Sequence, residues 1–303
     1  MAISRAQLVK ELEPGLNALF GLEYDRYTNE TAEIFTTETS DRAFEEEVML
    51  SGFGSAATKA EGAAVTFDDA KEAFTARYTH QTIALAFAIT EEAIEDNLYD
   101  RLGNRYARAL ARSMANTKQV KGAEILNNAF SSSQLGGDGV VLCSTAHPTV
   151  SGTNLSNTFT TQADLSETSL ETALINIAAF IDERGLKISI QGTKLILPKE
   201  LQFTAERILK SPLRVGTADN DINAIANMNM IPEGYRVNHY LNDTNAWFIK
   251  TDTPNGFKHF VRAALRTAME GDFDTGNVRY KARERYSFGW SDPRCVYGSS
   301  GST

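Results

Sequence analysis

The sequence comprises 303 residues, of which 42% are hydrophobic, and carries a net charge of −9. This hydrophobic content suffices for a folded core. The sequence contains no run of 18 apolar residues, so no membrane-spanning helix is predicted. Residues 1–30 lack the apolar stretch of a signal peptide, and the acidic excess argues against a protein that coats nucleic acid through its phosphates.

The two cysteines, Cys143 and Cys295, are far apart in the sequence, and neither belongs to a pair with metal-ligand spacing. In a reducing cytosol such residues stay free thiols. Residues 52–57 match G-x-G-x-x-A but lack the strand, turn and helix of a dinucleotide site. We therefore predict no disulfide, no metal centre and no cofactor.

Residues 3–22 predict an amphipathic helix, because apolar side chains recur every three or four positions. Pro14 lies in its middle and is expected to break or kink it, since proline lacks the N–H of the helical hydrogen bond. Two roles stay open for this segment: a helix docked on its own core, or an arm that packs on a neighbour.

Residues 42–88 predict a long two-stranded excursion. Its first strand is acidic, its tip at residues 48–66 is rich in glycine and alanine, and residues 74–89 predict one extended return strand. A hairpin of this kind buries little surface by itself. A neighbouring subunit is therefore expected to support it.

Residues 90–130 predict one helix, roughly 60 Å long, around which the rest of the chain is organised. Small or apolar residues follow one face, and Thr90 fits the N-cap position. Gly103 and Gly122 weaken the helix by about 1 kcal/mol each relative to alanine. Acids load its first third and bases the rest, so like charges occupy most i,i+4 pairs. Four arginines lack an acidic partner at this spacing: Arg101, Arg105, Arg108 and Arg112.

Residues 131–139 predict a loop, after which Cys143, Ser144 and His147 lie close together in the sequence. A nucleophile and its base usually converge from distant segments, and the G-x-S-x-G elbow is absent from the sequence. Ordered loop packing is the expected role of these residues. A small cytosolic hydrolase that uses Cys143 or Ser144 with His147 is an open alternative.

Residues 186–254 predict a compact α/β subdomain. A helix at residues 165–184, ended by Gly185, precedes it. Within it we expect a buried strand at 193–198, a helix at 199–210, and two strands at 235–241 and 245–250. The intervening loop at 211–233 is the part with candidate special geometry.

Residues 277–290 give the clearest strand signal. Apolar and aromatic side chains alternate with a basic set, which comprises Arg279, Lys281, Arg283 and Arg285. The aromatic face is expected to pack under the long helix. The basic face is expected to be solvated or to pair with another chain.

Four stretches in this order resemble major capsid proteins of tailed bacteriophages with the Hong Kong 97-type fold, and most closely Mu-like major head subunits. They are residues 59–62 (KAEG), residues 89–92 with 96–97 (ITEE and DN), residues 144–148 (STAHP), and residues 280–298 with WSDP at 290–293. The resemblance covers nearly the whole chain. It implies an α+β fold with an N-terminal arm, an extended E-loop, a P-domain with a spine helix, and an inserted A-domain.

On this resemblance the domains are expected as follows: arm 1–41, E-loop hairpin 42–88, first part of the P-domain 89–185, A-domain 186–254, and closing P-domain strands 255–303. The sequence begins directly with the arm, so a full, uncleaved product is expected.

The implied function is structural. The chain would form hexamers and pentamers of a virion capsid, assembled in the bacterial host cytoplasm around double-stranded DNA. Portal, scaffold and possibly decoration proteins would be its partners. An encapsulin-like nanocompartment shell is the alternative with the same fold.

In the resembling family the E-loop lies across the spine helix of an adjacent subunit. The hairpin carries acids with few nearby bases in the sequence: Glu45, Glu46, Glu47, Asp68 and Asp69. We therefore expect these carboxylates to pair between chains with Arg101, Arg105, Arg108 and Arg112. Exposed pairs contribute only about 0–1 kcal/mol each, but a repeated set can fix the register of neighbours.

Overall fold

The structure is a computed structural model that describes residues 5–90, 92–93, 99–213, 221–272 and 276–302, with side chains from residue 14 onward in the first helix and from residue 103 in the second. Its helices are α1 (Arg5–Arg26), α2 (Tyr99–Asn127), α3 (Glu167–Ala178), α4 (Gln202–Lys210) and α5 (Ala224–Asn227). Three short 3-10 helices cover Thr31–Glu33, Lys199–Leu201 and Pro293–Cys295.

The strands of the described residues form two four-stranded sheets and two strand pairs. They are β1 (Thr36–Thr39), β2 (Phe44–Leu50), β3 (Glu72–Thr79), β4 (Gln81–Ile89), β5 (His147–Pro148), β6 (Asn154–Leu155), β7 (Gly192–Leu197), β8 (Tyr235–Val237), β9 (Trp247–Thr251), β10 (Phe257–Gly271), β11 (Val278–Trp290) and β12 (Val296–Ser299). The first sheet has the order β1-β10-β11-β4, and the second has the order β12-β9-β7-β8.

The spine helix, α2, packs on one face of the first sheet. Leu110 and Met114 of the helix share a buried cluster with Tyr280 and Ala282 of β11 and with Phe20 of α1. The predicted packing of the aromatic strand face under the long helix is confirmed. The Oγ1 atom of Thr90 accepts a hydrogen bond from the N–H of Ala93 at 3.4 Å, as expected of an N-cap. Residues 91 and 94–98 of the predicted helix lie outside the described residues.

The inserted α/β part surrounds the second sheet. Leu170 and Ile177 of α3 pack against Leu195 of β7 and Trp247 of β9 in a second buried cluster. A third cluster joins the end of α2 to both sheets through Leu126, Phe248 and Trp290. The two sheets are therefore held by contiguous apolar packing.

Pro14 does not break the first helix, because the chain keeps helical conformation from Arg5 to Arg26. The expected end of the helix predicted at residues 165–184, at Gly185, was wrong. The helix α3 ends at Ala178, since Gly185 belongs to a later turn with φ of 84° that is closed by an Ile181–Lys187 bridge.

The predicted return strand at residues 74–89 is divided at His80. Its first half, β3, pairs with β2, but its second half, β4, pairs with β11 at the edge of the first sheet. The two-stranded excursion therefore ends at Thr79. We call residues 44–79 the hairpin.

Two glycines of the spine helix differ in what an added methyl group would meet. At Gly122 a Cβ atom would lie 2.3 Å from Cγ2 of Thr31, whereas at Gly103 the nearest atom would be 3.4 Å away. We expect Gly103→Ala to stabilise the subunit by up to about 1 kcal/mol through helix propensity, and Gly122→Ala to destabilise it by about 1–3 kcal/mol through overpacking.

Urea denaturation of unassembled subunits measures both changes. Thr31→Ser removes the clashing methyl group, so it should recover most of the loss in the Gly122→Ala background. Equal gains from both alanines would contradict the packing explanation.

Candidate assembly surfaces

The hairpin projects from the first sheet and has little apolar core of its own. Its strands pair from Phe44 with Thr79 to Leu50 with Glu72. Five large apolar side chains on the hairpin are 46% to 94% exposed: Val48, Leu50, Phe53, Val65 and Phe67. Exposed apolar groups concentrated on one projection mark an interaction surface.

The base of the hairpin is fixed by a buried lysine. The Nζ atom of Lys258 lies 2.9 Å from a carboxylate oxygen of Glu47 and 2.5 Å from one of Glu38. Burial lowers the pKa of Lys258, but its hydrogen bonds to Glu38 and Glu47 outweigh burial, and the net pKa is raised. Lys258 therefore stays charged and ties the hairpin to strand β10.

His80 occupies the point where the hairpin meets the sheet. Its ring nitrogens lie 2.9 Å from Oγ of Ser40 and 3.0 Å from Oγ of Ser287. Burial, followed by the nearby Arg285, lowers the pKa of His80. The predicted strand is therefore divided at a residue whose two ring nitrogens both form hydrogen bonds with serine hydroxyl groups.

Three of the five hairpin acids, which have few nearby bases in the sequence, pair with a base of their own chain. Glu46 lies 3.8 Å from Arg77, Glu47 binds Lys258, and both oxygens of Asp68 accept hydrogen bonds from Arg184 at 2.8 and 2.9 Å. Sequence spacing could not reveal Lys258 and Arg184, because each lies more than a hundred residues from its acid, whereas Arg77 is the cross-strand partner of Glu46 within the hairpin.

Glu45 and Asp69 complete the predicted acidic set. Glu45 accepts a hydrogen bond from Oγ of Ser40 at 2.6 Å. Asp69 is exposed and forms no ion pair with a described residue. Of the predicted acids, Asp69 is therefore the most available to another chain.

The predicted arginines of the spine helix form an exposed row. Arg105, Arg108 and Arg112 lie on the solvent side of α2, and none of them forms an ion pair within the described part of the chain. The side chain of Arg101 lies outside the described residues. We call Arg105, Arg108 and Arg112 the spine row.

The hairpin and the spine row lie on opposite sides of the first sheet. Tyr280 and Ala282 face the spine helix, whereas a Cβ atom at Gly289 would lie 2.7 Å from the ring of Tyr78. Even-numbered residues of β11 thus face the helix, and odd-numbered residues face the hairpin base. The structure does not bring the predicted acids and arginines together within one subunit.

A buried acid on β11 escaped the sequence analysis. Glu284 is 2% exposed, and its carboxylate lies 3.7 Å from Nζ of Lys118 and 3.4 Å from the hydroxyl of Tyr24. Burial raises the pKa of Glu284 more strongly than Lys118 lowers it. The alternation of β11 could have predicted the burial of Glu284, because even-numbered residues of this strand face the spine helix.

The residues of the hydrolase alternative are arranged for packing. Nδ1 of His147 lies 2.6 Å from Oδ2 of Asp138, and Nε2 lies 3.2 Å from Oδ1 of Asn157. Complete burial raises the pKa of the Cys143 thiol, which disfavours the nucleophilic thiolate. Neither ring nitrogen is directed at Cys143 or Ser144 as a base would be.

We expect His147→Ala to destabilise the subunit by about 2–3 kcal/mol, because it leaves Asp138 and the buried Asn157 short of a hydrogen-bond partner. Ser144→Ala, at a half-buried position, is the matched control and should cost under about 1 kcal/mol. Denaturant unfolding compares the two variants. Unchanged stability of His147→Ala together with loss of a hydrolytic turnover would favour the hydrolase alternative instead.

No cluster of metal-ligating side chains occurs among the described residues. The described helices also include none that is long and apolar enough to cross a lipid bilayer.

Residues 71–299 match the family model for phage capsid proteins. The chain belongs to the phage capsid protein family. Because the match spans most of the chain, including the second sheet, the spine helix and three of the four strands of the first sheet, the predicted function as a structural major capsid protein is confirmed. A comparison with curated proteins found no match.

Solved structures share the fold of this capsid protein. The procapsid of bacteriophage JBD30 is 14% identical, with 99% of this chain and 77% of that chain covered and a TM-score of 0.54. The capsid of cyanophage P-SCSP1u is 13% identical, with 87% and 85% covered and a TM-score of 0.55. The SrpI encapsulin of Synechococcus elongatus PCC 7942 is 9% identical, with 92% and 89% covered and a TM-score of 0.54. The predicted α+β capsid fold of the Hong Kong 97 type is confirmed.

Proposed function

We propose that this capsid protein closes into an icosahedral phage head as hexamers and pentamers of a single chain, with the hairpin as the principal contact between subunits. The shell encloses double-stranded DNA without reading its sequence. The hairpin carries the proposal, because it exposes large apolar side chains that its own subunit leaves uncovered. Heterologous contacts that close into rings would cover them.

The finer assignments belong to the same proposal. The protein has no catalytic activity, it is closest to Mu-like head subunits, and it assembles in the cytoplasm of a bacterial host. Portal, scaffold and decoration proteins are its further partners. The expected domain boundaries, from the arm at 1–41 to the closing strands at 255–303, and the pairing of hairpin acids with the spine row stay predictions.

Negative-stain microscopy and light scattering of the purified protein test the assembly. We expect closed shells from the wild type, and their loss or a strong rise in the assembly concentration for Phe53→Ser with Phe67→Ser. Phe203→Ser, on the comparably exposed α4, is the matched control and should assemble normally. A monodisperse monomer at high concentration would contradict the proposal.

The encapsulin-like alternative is favoured by the similarity to the SrpI encapsulin. Phage heads and encapsulin shells share one fold, so the content of the shell distinguishes the two functions. Nuclease-protected double-stranded DNA in shells isolated from the native host supports a phage head. Shells filled with a single enzyme and free of DNA would favour the nanocompartment.

A further inference from the structure

Strand β4 forms one outer edge of the first sheet. It pairs with β11 from Gln81 opposite Tyr286 to Ile89 opposite Val278, without a register shift. Its other side pairs with none of the described strands, so a nine-residue strand presents its outward N–H and C=O groups there. Free backbone groups in a regular row are a template on which another strand can form hydrogen bonds.

The β4 edge lacks the features that usually protect a free edge, which are shortness, charged side chains, prolines and bulges. Residues 81–89 contain no charged residue and no proline. The other edges of the two described sheets are shorter, since β1 and β12 have four residues each and β8 has three. The strands of the hairpin, β2 and β3, are longer but carry charged side chains. Among the strands of the described ranges, β4 is therefore the long uncharged edge.

Apolar side chains are exposed along the same edge. On the helix side, Leu85 is 47% exposed and Tyr106 of the spine helix is 48% exposed. The ring of Tyr106 packs beside that of Phe87, with centroids 5.7 Å apart. On the hairpin side the strand presents three exposed alanines: Ala84, Ala86 and Ala88. The subunit thus leaves both the backbone and the apolar side chains of this edge uncovered.

The edge is complementary to a second copy of itself. Leu85 is the middle residue of β4, so an antiparallel pairing about a twofold axis at Leu85 uses the full length of the strand. Ile83 then lies opposite Phe87 on the helix side, and Thr82 lies opposite Ala88 on the hairpin side. Apolar cross-strand pairs stabilise a sheet, and no like charges meet because the strand carries none.

From these observations we infer that β4 pairs edge to edge with β4 of a second copy of this chain, which joins two four-stranded sheets into one of eight strands. The twofold axis is normal to the sheet, so the spine helices of both copies lie on the same side of it. Subunits of one closed shell need this arrangement, because each presents the same side outward.

The inference rests on the proposed function and adds a second kind of contact to it. Heterologous contacts close subunits into rings, whereas an isologous contact links two subunits through the same surface of each. Neighbouring rings of an icosahedral shell are related by twofold or local twofold axes. The β4 pair would therefore join a subunit of one ring to a subunit of the next.

Charges at the symmetry centre test the pairing. Leu85→Lys should raise the protein concentration needed for shell formation by about tenfold or more, with free rings accumulating, because two lysines then lie opposite each other. Leu85→Glu should have the same effect. A mixture of the two variants should assemble better than either alone, since unlike charges can then meet. Ile175→Lys, at a 69% exposed position on α3, is the matched control and should assemble as the wild type does.

A disulfide trap tests the register. Shells of Leu85→Cys should yield disulfide-linked dimers on oxidation, because opposite Cα atoms of an antiparallel pair lie about 4.5–5.5 Å apart, within disulfide range. Thr82→Cys alone is the matched control and should yield none, since its own copy lies about 20 Å away along the strand. Thr82→Cys mixed with Ala88→Cys should yield dimers again. The native Cys143 and Cys295 are buried and do not compete.

The outcomes separate the inference from the proposed function. Absence of shells from the wild type overturns the proposed function. Wild-type shells together with normal assembly of Leu85→Lys, or with Leu85→Cys shells that form no dimers, overturn the β4 pair and leave the proposed function intact. A Leu85→Cys thiol that resists alkylation only when a second head protein is added would assign the edge to that protein, and would also overturn the pairing of β4 with itself.

Discussion

Replacing Arg294 with methionine is expected to destabilise the unassembled subunit by about 3–5 kcal/mol, because it leaves buried carboxylates without their cation. Arg294 is 3% exposed, and its guanidinium lies 2.7 Å from Glu183 and 3.2 Å from Asp292. It also donates a hydrogen bond to the carbonyl of Ile181 at 2.7 Å. One side chain thus joins the turn after α3 to the C-terminal segment beside the hairpin.

The environment of Asp292 explains why the loss should be large. Burial raises the pKa of Asp292 even with Arg294 present, since desolvation outweighs the attraction of the guanidinium. Without Arg294 the ionised form loses that attraction and Glu183 loses its ion-pair partner. Part of the chain must then open to water, or the carboxyl groups must take up protons.

Urea unfolding monitored by circular dichroism provides the measurement. Arg283→Met removes an exposed cation from β11 and is the matched control, expected to change stability by under about 0.5 kcal/mol. Adding Glu183→Gln to Arg294→Met should recover part of the loss, because one uncompensated charge disappears. A loss for Arg294→Met as small as that of the control would show that the buried network contributes little.

The sequence predicts the elements whose periodicity is strong. The alternation of β11 and the helical spacing of α2 depend on local patterns. The strand forms at Val278–Trp290, and the described part of the predicted helix forms at Tyr99–Asn127. The division at His80 could not be predicted, because the apolar run on both sides of it suits a single strand. Only the pairing of β4 with β11, about two hundred residues further along the chain, separates the two halves.

The assembly surfaces show the same distinction between local and long-range information. Exposure of Arg105, Arg108 and Arg112 follows from the helix period. The bases that neutralise Glu47 and Asp68, and the arginine that β10 adds opposite Arg283, depend on tertiary placement. Which side of the sheet each charge occupies therefore became visible only in the folded subunit.

The polar residues between the spine helix and the first sheet have opposing pH dependences. Burial raises the pKa of Glu284, so the stability linked to its protonated form is lost as pH rises through its folded pKa. His259, in contrast, has its pKa lowered to about 4 by burial and by the nearby Lys118. Its ring stacks on Phe288 with centroids 4.3 Å apart, and its buried Nε2 atom has no hydrogen-bond partner. The neutral imidazole is therefore the form that the fold accepts.

We expect the subunit to lose stability between pH 6.5 and about 4, by roughly 3 kcal/mol from His259 alone, since one pKa unit corresponds to about 1.4 kcal/mol. The sign follows from proton linkage. A histidine with a depressed folded pKa binds fewer protons in the native state than in the unfolded state, so its contribution is present above pH 6.5 and is lost as the pH falls.

His259→Phe keeps the aromatic packing and removes the titration, so it should flatten this part of the stability curve. His80, whose pKa is also lowered, should leave a residual slope. Glu284→Gln is the control and should retain the acid-induced loss. Urea unfolding at pH 7, 6, 5 and 4 compares the three proteins, and an equally steep loss in His259→Phe would exclude His259 as its source.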